Sequence, residues 1–162
     1  AVRARVSADF PVIFRFSQWK QQDYTARLVQ NADECARFLK PLADAGVDIF
    51  HASNRRFWEP EFAGSDLNLA GWTKEITGLP TITVGSVGLD VDFIESNFNM
   101  QHSGKAGLNA LDELVQRFNR GEFDLVAVGR ALLQDPAWVK KLHEGRFDEL
   151  TPYDRTAIAT LY

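Results

Sequence analysis

Gly129 and Arg130 stand where a short apolar segment meets a helical pattern. Residues 125–128, entered from Asp124, form a brief and continuous apolar run with two valines, which is typical of a buried strand. A glycine at a strand end lets a ligand approach the backbone closely, and a helix start points free N–H groups outward. The Arg130 guanidinium adds a planar positive charge. Together these residues predict a phosphate-binding site.

A second glycine-containing turn, Gly85-Ser-Val-Gly88, follows the predicted strand 81–84. Its backbone could meet the same kind of anion, although such turns are also common for reasons of turn geometry alone. Arg15 ends another predicted strand, 12–16, and its cation could equally pair with a carboxylate. Arg130 has the similar alternative of an ion pair on a helix surface. Two phosphate-like turns in one chain favour a ligand over coincidence.

Short strands and amphipathic helices are predicted to position these residues. The strands are apolar segments that begin at residues 12, 47, 81 and 124. Helices are predicted where apolar residues recur at a period near 3.6, over 26–45, 67–77, 90–96, 108–119 and from 130 up to 145. Pro41 lies inside the first helix and is expected to kink or interrupt it.

The repeated succession of a strand and a helix indicates an α/β protein with a parallel sheet and right-handed crossovers. A doubly wound sheet and a (β/α)8 TIM barrel both satisfy it, but no GxGxxG turn follows the first strand, which disfavours a dinucleotide-binding sheet. Barrels bind phosphate in the loops after strands 7 and 8, and both glycine turns follow the last two predicted strands. We therefore expect the second half of a barrel, strands 5 to 8 with their helices, over residues 1–150. Residues 151–162 are expected to form a C-terminal tail.

The composition is that of a globular protein in a reducing compartment. A net charge of −4 argues against a general binder of nucleic acid or of anionic membranes. The single cysteine, Cys35, excludes an intrachain disulfide and fits the cytoplasm, and no apolar run is long enough to span a bilayer. Val2 and Val6 have a helical spacing without a preceding cap. We therefore expect the chain to begin within a helix and to be part of a longer protein.

Three segments carry a resemblance to a known family. They are residues 12–17 (VIFRFS), 83–88 (TVGSVG) and 124–136 (DLVAVGRALLQDP), of which the last is highly specific. In order and spacing they resemble the C-terminal half of the Old Yellow Enzyme family, and the likeness covers about residues 1–150. The resemblance implies an FMN-binding (β/α)8 barrel that takes hydride from NAD(P)H and reduces activated alkenes such as enones and enals.

The resemblance also implies roles for individual residues. Arg15 matches the arginine at the end of strand 5 that faces the pyrimidine edge of the flavin, where a cation stabilises the charge left by hydride transfer. Gly85 and Ser86 match the strand-7 loop, whose backbone meets the FMN phosphate. Gly129 and Arg130 match the phosphate contacts that follow strand 8.

The loop after the second predicted strand, residues 52–60, lies on the catalytic face of such a barrel. In the family this loop helps to wall the substrate pocket, so Phe57 and Trp58 are candidates for lining it, with ordinary loop packing as the alternative. Arg55 and Arg56 could reach the phosphate end of a nicotinamide cofactor, although such a pair is more often a solvated surface.

The three histidines offer no further chemistry. His51 ends the second predicted strand and is expected to be a hydrogen-bonded structural residue, whereas His102 and His143 have no partners at a metal-ligand spacing. No metal site is expected. No tyrosine matches a family motif, so none is assigned as a proton donor.

The family residues that hold the flavin edge and the substrate carbonyl belong to the first half of the barrel and have no match here. The expected partners are therefore the missing N-terminal half, in the same or a separate chain, and a small-molecule substrate, with self-association also open. Two other functions compete with the ene-reductase: a non-catalytic phosphate-binding half barrel, and a flavin-free barrel enzyme acting on a phosphorylated metabolite. The segment alone is expected to be inactive.

Overall fold

A computed structural model describes residues 1–23, 25–89 and 108–159. The predicted helix 90–96 and His102 lie outside these residues. The strands are β1 (Ile13–Ser17), β2 (Ile49–Ser53), β3 (Thr81–Val84) and β4 (Leu125–Val126). The α-helices are α1 (Ala32–Asp44), α2 (Leu69–Thr77), α3 (Leu108–Asn119), α4 (Arg130–Gln134) and α5 (Trp138–His143). Short 3₁₀ turns occur at Arg3–Arg5, Phe147–Glu149 and Arg155–Ala159.

The four strands form one parallel sheet in the order β1-β2-β3-β4. The register aligns Arg15 of β1 with His51 of β2, His51 with Ile82 of β3, and Ile82 with Leu125 of β4. Sequential strands are therefore neighbours, with their carboxyl ends at one edge of the sheet. The predicted α/β class with a parallel sheet is confirmed, and this order is compatible with part of a barrel.

Several predicted boundaries are wrong, for local reasons. The first helix begins at Ala32 rather than at residue 26, because the Asn31 side chain caps it by accepting a hydrogen bond from the Glu34 N–H at 2.9 Å. Pro41 lies within α1 without ending it. The single helix predicted after residue 130 is two helices, α4 and α5, separated by residues 135–137, since the N–H that Pro136 lacks cannot continue a helical ladder.

One face of the sheet is covered by the helical layer. Its side chains are buried or partly buried: Phe14, Phe16, Phe50, Ala52, Thr81 and Thr83. The Phe16 ring lies 5.7 Å from that of Phe38 on α1 and 6.3 Å from that of Phe50. Cys35 and Leu39 of α1 are fully buried in the same cluster. Aromatic packing of this kind makes the covered face the core of the described chain.

The opposite face of the sheet, called here the open face, carries the alternate residues of each strand. Its aliphatic side chains are Ile13, Ile49, Ile82, Val84 and Leu125. Ile13 is 52% exposed and Leu125 is 50% exposed. Parallel sheets are normally covered on both faces, but among the described residues Ile13 and Leu125 of this face remain half exposed.

Carboxylates anchor the amino-terminal edge of the sheet. Asp48 accepts a hydrogen bond from the Val12 N–H at 2.7 Å and pairs with Arg3. Asp124 accepts one from the Thr81 N–H at 2.9 Å and pairs with Lys74 of α2 at 2.6 Å. Burial alone would raise the pKa of Asp124, but the hydrogen bonds from Lys74 and Thr81 lower it below the ordinary value. Within the described ranges, no helix is long and apolar enough to cross a membrane.

Candidate functional site

A pocket of about 240 Å³ lies at the carboxyl edge of the sheet. It is lined by residues from the ends of β1, β2 and β3 and from the segments that follow all four strands: Arg15, Trp19, Gln21, Ser53, Asn54, Arg55, Val84, Gly85, Ser86, Val87, Leu89, Ala127, Gly129 and Arg130. The five residues predicted to hold a cofactor are all among them. Residues more than a hundred positions apart in sequence therefore meet in one cavity, at the edge where open α/β sheets and barrels bind ligands.

The turn after β3 is locked against the loop that follows β2. Gly85 has φ +137°, and a Cβ there would lie 2.6 Å from the Asn54 carbonyl oxygen, so only glycine fits. The Phe57 N–H donates to the Gly85 carbonyl at 3.1 Å. Ser86 has φ +53° and its hydroxyl donates to the Arg55 carbonyl at 3.3 Å. A non-glycine residue in the left-handed region marks a turn whose shape is held by its surroundings.

The turn after β4 presents Gly129 and Arg130. Gly129 is exposed, and a Cβ there would meet no atom within 4 Å, so neither packing nor a left-handed backbone requires the glycine. Arg130 begins the five-residue helix α4 and places its guanidinium 5.6 Å from the centre of the Tyr153 ring. This end of the pocket therefore combines an accessible backbone with an oriented cation.

Arg15 supplies a second cation at the β1 end of the pocket. Its Nη2 donates to the Ser53 hydroxyl at 3.3 Å, and its side chain is on the same face of the sheet as His51. Three neighbouring strand spacings of ~4.8 Å put β1 and β4 roughly 14 Å apart. The pocket is thus suited to an elongated ligand with electron-rich groups near Arg130 and Arg15.

His51 adjoins Arg15 on the open face. Burial, followed by the charge of Arg15, lowers the pKa of His51 below its ordinary value. Among the described residues its Nε2 has no hydrogen-bond partner. The expectation of a hydrogen-bonded structural histidine is therefore wrong for that atom, and both burial and the charge of Arg15 favour the neutral form of the ring.

The two aromatic candidates for a substrate wall lie beside each other after β2. Phe57 is fully buried in the main core, and its ring meets that of Trp58 edge-on at 5.0 Å. The Asn68 side chain, itself fully buried, donates to the Phe57 carbonyl at 2.6 Å. Both rings thus have packing roles in the described chain, and their predicted contact with substrate stays a prediction.

A buried arginine of α3 also binds the backbone of the segment that follows β2. Arg117 is 5% exposed, pairs with Glu122 at 3.0 Å and donates to the backbone carbonyls of Asp66 and Trp58 at 2.9 and 3.3 Å. Charge-assisted bonds in a buried setting are strong and directional. The loop that borders the pocket is therefore fixed at both ends.

The arginine pair after β2 borders two cavities. Arg55 lines both the main pocket and a smaller cleft of about 80 Å³, whereas Arg56 lines only the smaller cleft of these two and pairs with Glu59 at 3.0 Å. Glu61 lies on that cleft, and its burial raises the pKa of its carboxyl, while a hydrogen bond from Gln18 opposes the rise. Mixed charges make the smaller cleft a less specific anion site than the main pocket.

Sequence reasoning missed several residues of the pocket. Trp19 and Gln21 come from a segment that reads as a polar loop, although a tryptophan just after a strand end is a signal for a ligand-facing aromatic. Tyr153, which contacts Arg130, comes from a tail with no recognisable pattern. Within the described residues, no group of three or more His, Cys, Asp or Glu side chains could hold a metal ion.

Comparison with known proteins gives a distant likeness to an oxidoreductase. No family model matches the chain. An NADH oxidase from Thermoanaerobacter brockii is 29% identical over 157 residues, an alignment that covers 92% of this chain. The chain spans about a fifth of the length of that relative, 20%. Such a likeness supports, at most, a distant relation to NADH-dependent oxidoreductases.

Proposed function

We propose that this chain is the C-terminal half of an FMN-dependent (β/α)8 barrel, strands 5 to 8, in an oxidoreductase that oxidises NADH or NADPH. One observation carries the proposal. Arg15, Gly85, Ser86, Gly129 and Arg130, each singled out from sequence, line a single pocket at the carboxyl edge of a parallel sheet. The likeness to an NADH oxidase supports the same class of reaction.

The donors in the pocket suit the parts of FMN. Near β4, a guanidinium and the backbone around Gly129 match a phosphate, since arginine binds phosphate through paired charge-assisted hydrogen bonds. The turn at Gly85 and Ser86 brings backbone close to the same end. The volume of about 240 Å³ falls just below the ~300–1,000 Å³ of a complete ligand site, as expected when other walls come from elsewhere.

Arg15 is proposed to act at the other end of the ligand. FMN, when bound, supplies hydride acceptance from a nicotinamide and hydride donation to a substrate. A fixed guanidinium stabilises the negative charge that gathers on a reduced ring, and it needs no reorganisation when that charge appears. Following the family resemblance, we propose activated alkenes as the hydride acceptors.

The open face supports the missing half as the physical partner. Exposed Ile13 and Leu125 belong to the outer strands β1 and β4, at the two edges where further parallel strands would join. Closing a barrel would cover the open face and pair both edges. The same exposure also favours a second candidate, a non-catalytic half barrel that associates with its own copy.

The decisive test uses the full-length protein encoded by the natural gene. Purified protein is expected to carry a visible flavin spectrum and to release FMN on denaturation. Arg130→Ala should lower FMN retention, and Arg15→Ala should slow flavin reduction by NADH or NADPH while FMN remains bound. Arg37→Ala, an exposed arginine on α1 away from the pocket, is the matched control and should change neither.

Two results would redirect the assignment. A colourless protein that takes up no added FMN contradicts the flavin proposal and favours a barrel that binds phosphorylated metabolites. A full-length protein of about 162 residues that sediments as a stable colourless dimer favours the self-associating half barrel instead.

A further inference from the structure

The C-terminal segment, residues 150–159, packs against the ligand-facing side of the molecule rather than trailing from it. Tyr153 is 3% exposed and forms a small hydrophobic cluster with Leu89 and Ala157, separate from the main core. Leu89 ends the turn after β3 and lines the main pocket. Its N–H donates to the Ser86 carbonyl at 3.1 Å. Tyr153 therefore lies directly behind one of the two predicted phosphate turns.

The same tyrosine contacts the other turn. The Arg130 guanidinium carbon lies 5.6 Å from the centre of the Tyr153 ring, within the range of a cation–π contact. The next residue, Asp154, donates its N–H to the Gln134 side chain at 2.8 Å, which ties the segment to the end of α4. The Asp154 carboxylate also accepts from the Thr156 N–H at 2.8 Å, which shapes the 3₁₀ turn that follows. The segment is thus attached to α4 at two points.

We propose that Tyr153 is a positioning residue for Arg130, and that the C-terminal segment is a structural part of the ligand pocket. The inference rests on the proposed function, since it concerns the phosphate end of the same site. A free arginine side chain samples many rotamers, and ordering it on binding opposes affinity. A buried aromatic face beneath the guanidinium restricts those rotamers before the ligand arrives.

Tyr153 is well suited to this task. Burial raises the pKa of the Tyr153 phenol, although the charges of Arg130 and Arg155 oppose the rise, so the ring stays uncharged at physiological pH. Being 3% exposed, it cannot itself reach far into the pocket. Its contribution therefore passes through Arg130 and should depend on the presence of a phosphate in the ligand.

The test compares FMN with riboflavin, which lacks the phosphate, in the flavin-free full-length protein. Tyr153→Leu is expected to weaken FMN binding roughly 3- to 30-fold, the size of a partly buried cation–π contact, and to leave riboflavin binding unchanged. Tyr153→Phe keeps the aromatic face and should retain wild-type FMN affinity. In an Arg130→Ala background, Tyr153→Leu should have no further effect on FMN binding, because the residue acts only through Arg130.

A second replacement separates positioning from packing if Tyr153→Leu does not fold. Pentafluorophenylalanine at position 153 keeps the ring but reverses the electrostatic character of its face, so it should lower the FMN-to-riboflavin affinity ratio while phenylalanine does not. A wild-type protein that binds riboflavin as tightly as FMN would overturn the phosphate site itself. If the wild-type protein prefers FMN and the pentafluorophenylalanine variant keeps the same FMN-to-riboflavin affinity ratio, the role of Tyr153 alone is overturned. The same holds if the variant loses affinity for FMN and for riboflavin equally.

Discussion

The two faces of the sheet are built from the same strands but differ in what covers them. On the covered face, Phe16 packs against Phe38 of α1 and against Phe50, and Phe16 and Phe50 are both buried. On the open face, Ile13 and Leu125 remain half exposed. A parallel sheet with one bare apolar face is rare in isolation. The difference identifies the covered face as the core of the described chain, and it is the reason for proposing the open face as the side that meets a partner and a ligand.

Polar residues on the two faces differ in the same way. Thr81 and Thr83 on the covered face are fully buried and satisfied: the Thr81 hydroxyl donates to the Leu79 carbonyl at 3.1 Å, and that of Thr83 accepts from Asn54 at 2.9 Å. On the open face, Arg15 and His51 lie side by side without a carboxylate among their described hydrogen-bond partners. Polar groups on the covered face therefore form hydrogen bonds within the fold, whereas those on the open face are suited to an anionic or electron-rich ligand.

The largest expected effect is loss of packing on the covered face. Phe50 of β2 is fully buried, and its ring lies 6.3 Å from those of Phe14 and Phe16 on the neighbouring strand β1. Phe50→Ala leaves a cavity that rigid neighbours fill only in part, so it should lower the free energy of unfolding by about 3–5 kcal/mol. Urea denaturation of the full-length protein measures it. A loss below ~1 kcal/mol would mean that this face is not the core.

A matched pair of leucines tests the open face. Leu125 on the open face and Leu28 in a loop are each 50% exposed. If the open face is covered in the full-length protein, the Leu125 side chain is part of a core there. Leu125→Ala should then lower the free energy of unfolding by about 2–4 kcal/mol. Leu28→Ala should stay within about 0.5 kcal/mol, as for other surface positions. Equal small losses for the two leucines would show that the open face remains solvated.

The strands and five residues of the pocket could be predicted from the sequence because their signals are local. Short apolar runs fixed the four strands within about two residues, and glycines at 85 and 129 marked the turns that follow two of them. Arg15, Ser86 and Arg130 then converge because parallel strands deliver their carboxyl ends to one edge.

Long-range features were not accessible in this way. No local sequence pattern predicts the contact between Tyr153 and Arg130, because that contact depends on how the C-terminal segment packs against the rest of the chain. The start of α1 was misplaced because apolar residues before Asn31 continue the helical period, while the cap is decided by one side-chain hydrogen bond. The division between α4 and α5 was missed although Pro136 signals it, because the apolar period runs through both.

A smaller loss of stability is expected when the ion pair between helix α2 and the sheet is removed. Asp124 binds Lys74 and the Thr81 N–H, and its carboxylate is 37% exposed, so solvent weakens the pair. Asp124→Asn should lower the free energy of unfolding by about 1 kcal/mol at pH 7. Because the folded-state pKa of Asp124 is lowered, the contribution is present above the unfolded value of 3.8 and is lost as pH falls through the folded value. Chemical denaturation between pH 7 and pH 3 should show that the difference in free energy of unfolding between wild type and Asp124→Asn becomes smaller. A difference that persists at acid pH would mean that the loss comes from packing.

The smallest expected effect is a change of protonation on the open face. His51 should titrate below its ordinary pKa of 6.5, chiefly because of burial and then because of Arg15, and covering the open face in the full-length protein should lower the pKa further. Its neutral form then favours folding above pH 6.5, and that contribution is lost as pH falls toward the folded pKa, since the unfolded chain binds the proton more readily. Titration of the ring by NMR measures the pKa, and Arg15→Leu should raise it while Arg37→Leu on the covered side leaves it in place. If the full-length protein gives a pKa at or above 6.5, His51 is solvated, and the open face is not the interior of a barrel.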